Sequence, residues 1–139
     1  MPEVFFIDRV SPAILQLAEY FKSEGSLVFF EPSIKPSSKG FAECLQISDV
    51  VKFADQRIQD VGFTVAYNNK LIIQTLGADG LQFSLNGSSW EKIDPEANDN
   101  VVDTSGAGDW TTASFLNYLR QNDMLDIKRL DTSVVREGL

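Results

Sequence analysis

Residues 4–30, VFFIDRVSPAILQLAEYFKSEGSLVFF, decide the fold. Val4-Phe5-Phe6-Ile7 is a short apolar run of β-formers and predicts a strand. Ser11-Pro12 follows as an N-cap with proline at the first helical position. Ile14, Leu17, Ala18 and Phe21 then recur at i, i+3, i+4 and i+7, one face of an amphipathic helix that Gly25 is placed to end. Leu27-Val28-Phe29-Phe30 is a continuous apolar run, the pattern of a strand buried on both faces. Two strands joined by a helix make a βαβ unit, so a parallel sheet is expected there.

The pattern continues along the chain. After the Glu31-Pro32-Ser33 turn and a polar Lys/Ser/Pro stretch, a short helix is expected near Phe41 to Leu45. Asp49 to Phe53 predicts a third strand, with a weaker helical segment running to Val61. Leu71 to Leu76 predicts a fourth strand, running into the turn Gly77-Ala78-Asp79-Gly80. Leu81 to Leu85 and Ser89 to Ile93 flank Asn86-Gly87, a strong hairpin signal. A polar loop over residues 94 to 100 leads to Val101-Val102 and a Gly-rich turn, which opens a helix to Asn122. Asp131 to Leu139 reads as the start of another helix.

Composition narrows the function. The 139 residues suit one domain, and 43 % hydrophobic with 23 % charged residues is ordinary for a globular chain. A net charge of -8 argues against general binding of nucleic acid or of a membrane surface, both polyanions. It leaves room for a nucleotide held by backbone N–H groups. With no His in the chain, His-based acid/base chemistry, Ser-His-Asp triads and His-ligated metals are excluded. The single Cys44 has no internal disulfide partner and reads as a small packing residue. No signal-like or membrane-spanning run is present, so the default expectation is cytoplasmic.

The segment that carries chemistry is Asp103-Thr104-Ser105-Gly106-Ala107-Gly108-Asp109. Gly106 and Gly108 lack a Cβ, so the backbone there can bend tightly and approach a ligand. The turn opens a helix whose first N–H groups have no intrahelical partner and stabilise negative charge, most naturally a phosphate. Asp109 falls in the first helical turn, beside that anion hole. A carboxylate there can accept a proton from an attacking hydroxyl while the N–H groups stabilise a transferring phosphoryl group. From the glycine pattern alone, a capped helix with Asp103 or Thr104 as N-cap explains the segment equally well.

Asp-Thr-x-Gly-Ala-Gly-Asp resembles the signature of ribokinase-like (PfkB family) carbohydrate kinases. The resemblance implies that Gly106, Ala107 and Gly108 form the anion hole and that Asp109 is the base activating a sugar hydroxyl. It also implies a monovalent-cation (K+) site to which Asp103 and Ser105 would contribute. Thr75-Leu76-Gly77-Ala78-Asp79-Gly80 is similar to the family's Thr-Leu-Gly-x-x-Gly turn, so Thr75, Gly77, Gly80 and Gly108 are candidate ATP-binding residues. Phe30-Glu31-Pro32-Ser33 resembles the family's segment after a central strand. Asp49 to Phe53 resembles the strand before its Asn-x-x-Glu motif. The implied fold is α/β, a ribokinase-like three-layer α/β/α sandwich with a mostly parallel sheet plus a hairpin. It is incomplete, because such kinases carry an N-terminal sugar-binding and lid half and final C-terminal helices. Residues 1–139 are therefore expected to be one partial domain, the C-terminal part of such a kinase.

The sequence departs from the family at three places. Ala54 and Arg57 stand at the Asn and Glu positions of Asn-x-x-Glu, and Arg57 replaces a charge that attracts magnesium with one that repels it. Trp110 follows the expected base where relatives carry a small residue, and it either fills the core or shields the site. The implied function is ATP-dependent phosphotransfer, with Mg2+, to an alcohol group of a sugar or sugar-like substrate. Without a sugar clamp, this chain alone is not expected to turn over. A non-catalytic nucleotide-binding module is the alternative. So is an interaction module, or dimer, that pairs through the sheet edge a truncated sheet exposes.

Overall fold

β1 (Val4–Ile7) and β2 (Leu27–Phe30) lie parallel, Val4 opposite Leu27 and Ile7 opposite Phe30, with helix α1 (Pro12–Ser23) between them in the chain. The expected βαβ unit is therefore present. Ser11 is extended and its hydroxyl accepts from the Ile14 N–H at 3.2 Å, with Pro12 in the first turn. The computed structural model describes residues 3–32, 39–54, 69–95 and 107–139, with the backbone alone at 39 and 107–110.

Helix α2 (Lys39–Ile47) leads to β3 (Val50–Ala54), and β4 (Leu71–Thr75), β5 (Leu81–Leu85) and β6 (Glu91–Ile93) follow. Among the described residues these strands form one six-stranded sheet in the order β1-β2-β3-β4-β5-β6. The first four strands are parallel, and β5 and β6 add an antiparallel hairpin. At the hairpin tip Asn86 and Gly87 both have positive φ, 55° and 75°, and Ser88 N–H donates to the Leu85 carbonyl at 3.1 Å. Leu76 lies outside β4, contrary to the sequence reading. Its N–H bonds to the Gly80 carbonyl at 2.8 Å, closing the turn instead of extending the strand. The predicted helix ending at Val61, loop residues 96 to 100 and Val101-Val102 lie outside the described residues.

Strand alternation divides the core into two layers. Leu27, Phe29, Val50, Leu71, Ile73 and Phe83 pack under Phe115 and Leu119 of α3 (Ala107–Gln121) and Val135 of α4 (Thr132–Gly138). Ile7, Val28, Phe30, Val51, Phe53 and Ile72 pack under Ala18 of α1 and Phe41 and Cys44 of α2. The result is the expected three-layer α/β/α arrangement. Burial at this scale, about 2 kcal/mol per large side chain, is what orders the sheet.

Two buried charges brace the α1/α2 side. Asp49 accepts from Val28 N–H at 2.8 Å and from Lys22 Nζ at 3.0 Å, joining β2 to the end of α1. Lys70 Nζ donates to the carbonyls of Leu45, at 2.6 Å, and of Ser48, satisfying groups that α2 leaves open at its C-terminus. Burial pulls the Lys70 ammonium down to about 8; nearby Lys22 pulls the same way and Asp49 opposes it. On the other side, Asp131 caps α4 by accepting from Val134 N–H at 2.9 Å, and Arg136 lies 5.9 Å from the Phe83 ring centroid. No helix among the described residues is long and apolar enough to cross a membrane.

Candidate active site

The parallel strands all end on one edge of the sheet, and in open α/β sheets that carboxyl edge is where ligands bind. Glu31 directly follows β2, Lys52 lies near the end of β3, and Thr75 ends β4. Strand alternation puts Glu31, Lys52, Ala54 and Thr75 on the same face as α3, since Phe29, Val50 and Ile73 belong to that layer.

The densest polar contact on this edge is a triangle. Lys52 Nζ lies 2.8 Å from Glu31 Oε1 and donates to Thr112 Oγ1 at 2.8 Å, and the Thr112 hydroxyl donates to Glu31 Oε2 at 3.1 Å. Lys52 is only 2 % exposed, so its charge is held by these partners and not by water. Thr112 lies in the second turn of α3. The triangle therefore fixes the N-terminal end of α3 over the carboxyl ends of β2 and β3. The sequence reading did not find this group. The signal was available: a Lys inside the apolar run Val50-Val51-Lys52-Phe53 must be buried and so must find a carboxylate.

Ala107, Gly108 and Asp109 occupy the first turn of α3, Asp109 three residues before Thr112. Two of the three predicted anion-hole residues, Ala107 and Gly108, and the predicted base Asp109 thus lie at a helix start that is tethered to the strand ends. The remaining candidates there, Asp103, Ser105 and Gly106, lie outside the described residues, as does Arg57.

The Thr75 turn adjoins the same edge. Thr75 stands opposite Ala54 across the β3–β4 pair, and its hydroxyl reaches the Phe53 carbonyl at 3.5 Å. The first departure from the Asn-x-x-Glu pattern is therefore the immediate neighbour of the Thr-Leu-Gly turn. Gly77 to Asp79 make a single 3-10 turn, Gly77 at φ 61° and Gly80 at φ 91°. A Cβ on Gly80 would lie 2.2 Å from the Ile93 carbonyl oxygen, so glycine is required there to let the end of β6 pass. Exposed Gly77 and Ala78 leave the outer side of the turn open to solvent.

Among the described residues no group of three acidic or thiol side chains is placed to hold a metal ion. Glu31, at the end of β2, is already engaged by Lys52.

Comparison with known proteins agrees with this architecture. The family described as pfkB family carbohydrate kinase matches residues 6–129. A ribokinase from Lactococcus lactis subsp. lactis (strain IL1403) is 30 % identical over 115 residues, covering 78 % of this chain and 37 % of that protein. Among solved structures, ribokinase from Giardia lamblia superposes with a TM-score of 0.76 at 18 % identity, over 98 % of this chain and 50 % of that one. Arabidopsis thaliana ribokinase complexed with ribose and ATP gives a TM-score of 0.66 at 18 % identity, over 88 % and 46 %. The chain thus spans half or less of the length of these relatives. With the family matched over nearly all of the sequence and the same fold found in these neighbours, this chain belongs to the pfkB family of carbohydrate kinases.

Proposed function

We propose that residues 1–139 are the nucleotide-binding and catalytic part of an ATP-dependent phosphotransferase acting on an alcohol group of a sugar or sugar-like substrate. The observation that carries this reading is the start of α3, with Ala107, Gly108 and Asp109 in its first turn, tethered by Thr112 to the carboxyl edge of the sheet beside the Thr75 turn. In this role the Gly106–Gly108 backbone N–H groups receive the transferring phosphoryl group. Asp109 accepts the proton of the attacking hydroxyl, and Thr75, Gly77 and Gly80 form the wall on the ATP side. Mg2+ would enter with the nucleotide, coordinated largely by phosphate oxygens and water. Asp103 and Ser105 would contribute to a K+ site. Ribose and ATP, as bound by the Arabidopsis neighbour, are the natural first substrates to test. The sugar clamp and lid would come from a segment corresponding to the N-terminal half of the relatives. The free, buried Cys44 fits a reducing, cytoplasmic setting.

The test is Asp109→Asn in an enzyme that joins this half to its complement. Turnover should fall by about 10²–10⁴-fold with ATP affinity retained. Near-normal turnover would remove Asp109 from the mechanism. A second reading is favoured by Ala54 and Arg57 at the altered motif: a nucleotide-binding module without catalysis. Turnover by the 139-residue chain with any sugar would exclude it.

A further inference from the structure

Phe115 and Leu119 set the buried stripe of α3 against the sheet, and Thr112 falls on the same stripe three residues earlier. Its hydroxyl is not left among apolar neighbours. It accepts from Lys52 Nζ at 2.8 Å and donates its one proton to Glu31 Oε2 at 3.1 Å. Lys52 belongs to β3 and Glu31 follows β2, so the two bonds fix α3 against two strands at once. Thr112 is 7 % exposed and Lys52 2 %, so both bonds are made with little water nearby.

The turn before Thr112 has little rigidity of its own. Gly108 lies in it, and a glycine within a helix costs about 1 kcal/mol relative to alanine through the freedom it must give up. That freedom suits a backbone that must approach a ligand closely, but it leaves the place of the turn to be set from outside. Helix geometry carries the hold on Thr112 to that turn. Pairing of i with i−4 sets the Thr112 N–H against the Gly108 carbonyl, whose residue is about 6 Å nearer the helix start.

From this arrangement we infer that Thr112 is a positioning residue for a nucleotide's phosphates, acting through the first turn of α3 while its hydroxyl is tied to Lys52 and Glu31. The inference rests on the nucleotide site proposed above. Donors already in place when a phosphate arrives bind it more tightly than donors that must first be ordered. A valine at 112 separates this role from folding. It keeps the branched shape and removes both bonds, while Lys52 and Glu31 stay paired with each other at 2.8 Å. No buried charge is stranded, so the loss falls on the place of the helix start.

Isothermal titration of MgATP into the 139-residue chain and its variants tests this, at a temperature where circular dichroism shows each to be folded. Thr112→Val and Thr112→Ala should each weaken binding by about tenfold, the worth of the lost anchoring bonds. Thr112→Ser keeps the hydroxyl and should bind as the wild type does. Gly25→Ala, strained by its positive φ before β2 and so at the opposite edge of the sheet, should lose stability without losing affinity. Valine and alanine variants that bind as tightly as the wild type would overturn the inference. So would a serine variant as weak as valine, or an equal loss of affinity in Gly25→Ala. A wild-type chain that binds no MgATP would overturn the proposed nucleotide site itself, and this inference with it.

Discussion

Lys52 Nζ lies 2.8 Å from Thr112 Oγ1, so the end of β3 is bonded directly to the second turn of α3. Glu31 closes the contact from β2, and three elements meet at a nearly dry ion pair. This junction aims the start of α3 at the carboxyl edge of the sheet.

Lys52→Met should cost about 3 kcal/mol, read by urea unfolding, because it leaves the Glu31 carboxylate without its cation. Removing both charges, Lys52→Met with Glu31→Gln, should cost less than the single variant. Equal costs would mean that the Glu31 charge left without its cation is not what makes the single variant costly.

Most of the fold was legible in the sequence, because its elements are short and sharply punctuated. Ser11-Pro12, Gly25 and Asn86-Gly87 each act locally, and the structure uses each as its chemistry requires. The start of α3 was legible for the same reason. The Lys52–Glu31–Thr112 triangle was not, since its members are 21 and 60 residues apart from Lys52 and only the parallel register brings them together. Gly80 was read for a ligand, whereas the structure also gives it a packing duty against Ile93 that no local pattern announces.

Gly80 and Gly25 provide a matched pair of alanine substitutions. Both have positive φ, 91° and 96°, but only at Gly80 does the new Cβ meet backbone, 2.2 Å from the Ile93 oxygen. Gly25→Ala should cost about 1 kcal/mol for its conformation alone. Gly80→Ala should cost at least about 3 kcal/mol, from strain plus displacement of β6. Similar losses at the two sites, measured by thermal or urea unfolding, would contradict the close approach.

Lys70 predicts a pH dependence. Its folded-state value of about 8 lies below the ordinary 10.5, so between these limits the unfolded chain holds a proton that the folded chain has released. Stability should therefore rise as pH increases from about 8 to about 9, above which the Cys44 thiol, raised to about 11, opposes the rise. Lys70→Met should lack that rise when both proteins are compared by urea titration across this window.

Cys44 is fully buried, and burial, aided by Glu43, pushes its thiol up to about 11. Native protein at pH 8 should react with a thiol reagent only through opening, at a rate that climbs with urea. Fast, urea-independent labelling would show that α2 does not cover it.

If the start of α3 and the Thr75 turn together form a nucleotide phosphate site, as proposed above, excess MgATP should shift the thermal melt of the chain. At a hundredfold excess over the dissociation constant, a ligand that binds only the folded chain adds about 2.7 kcal/mol. One cooperative transition should move upward with MgATP, and the transition of a Gly108→Val chain should stay in place. A cooperative wild-type transition that stays in place at saturating MgATP would contradict it.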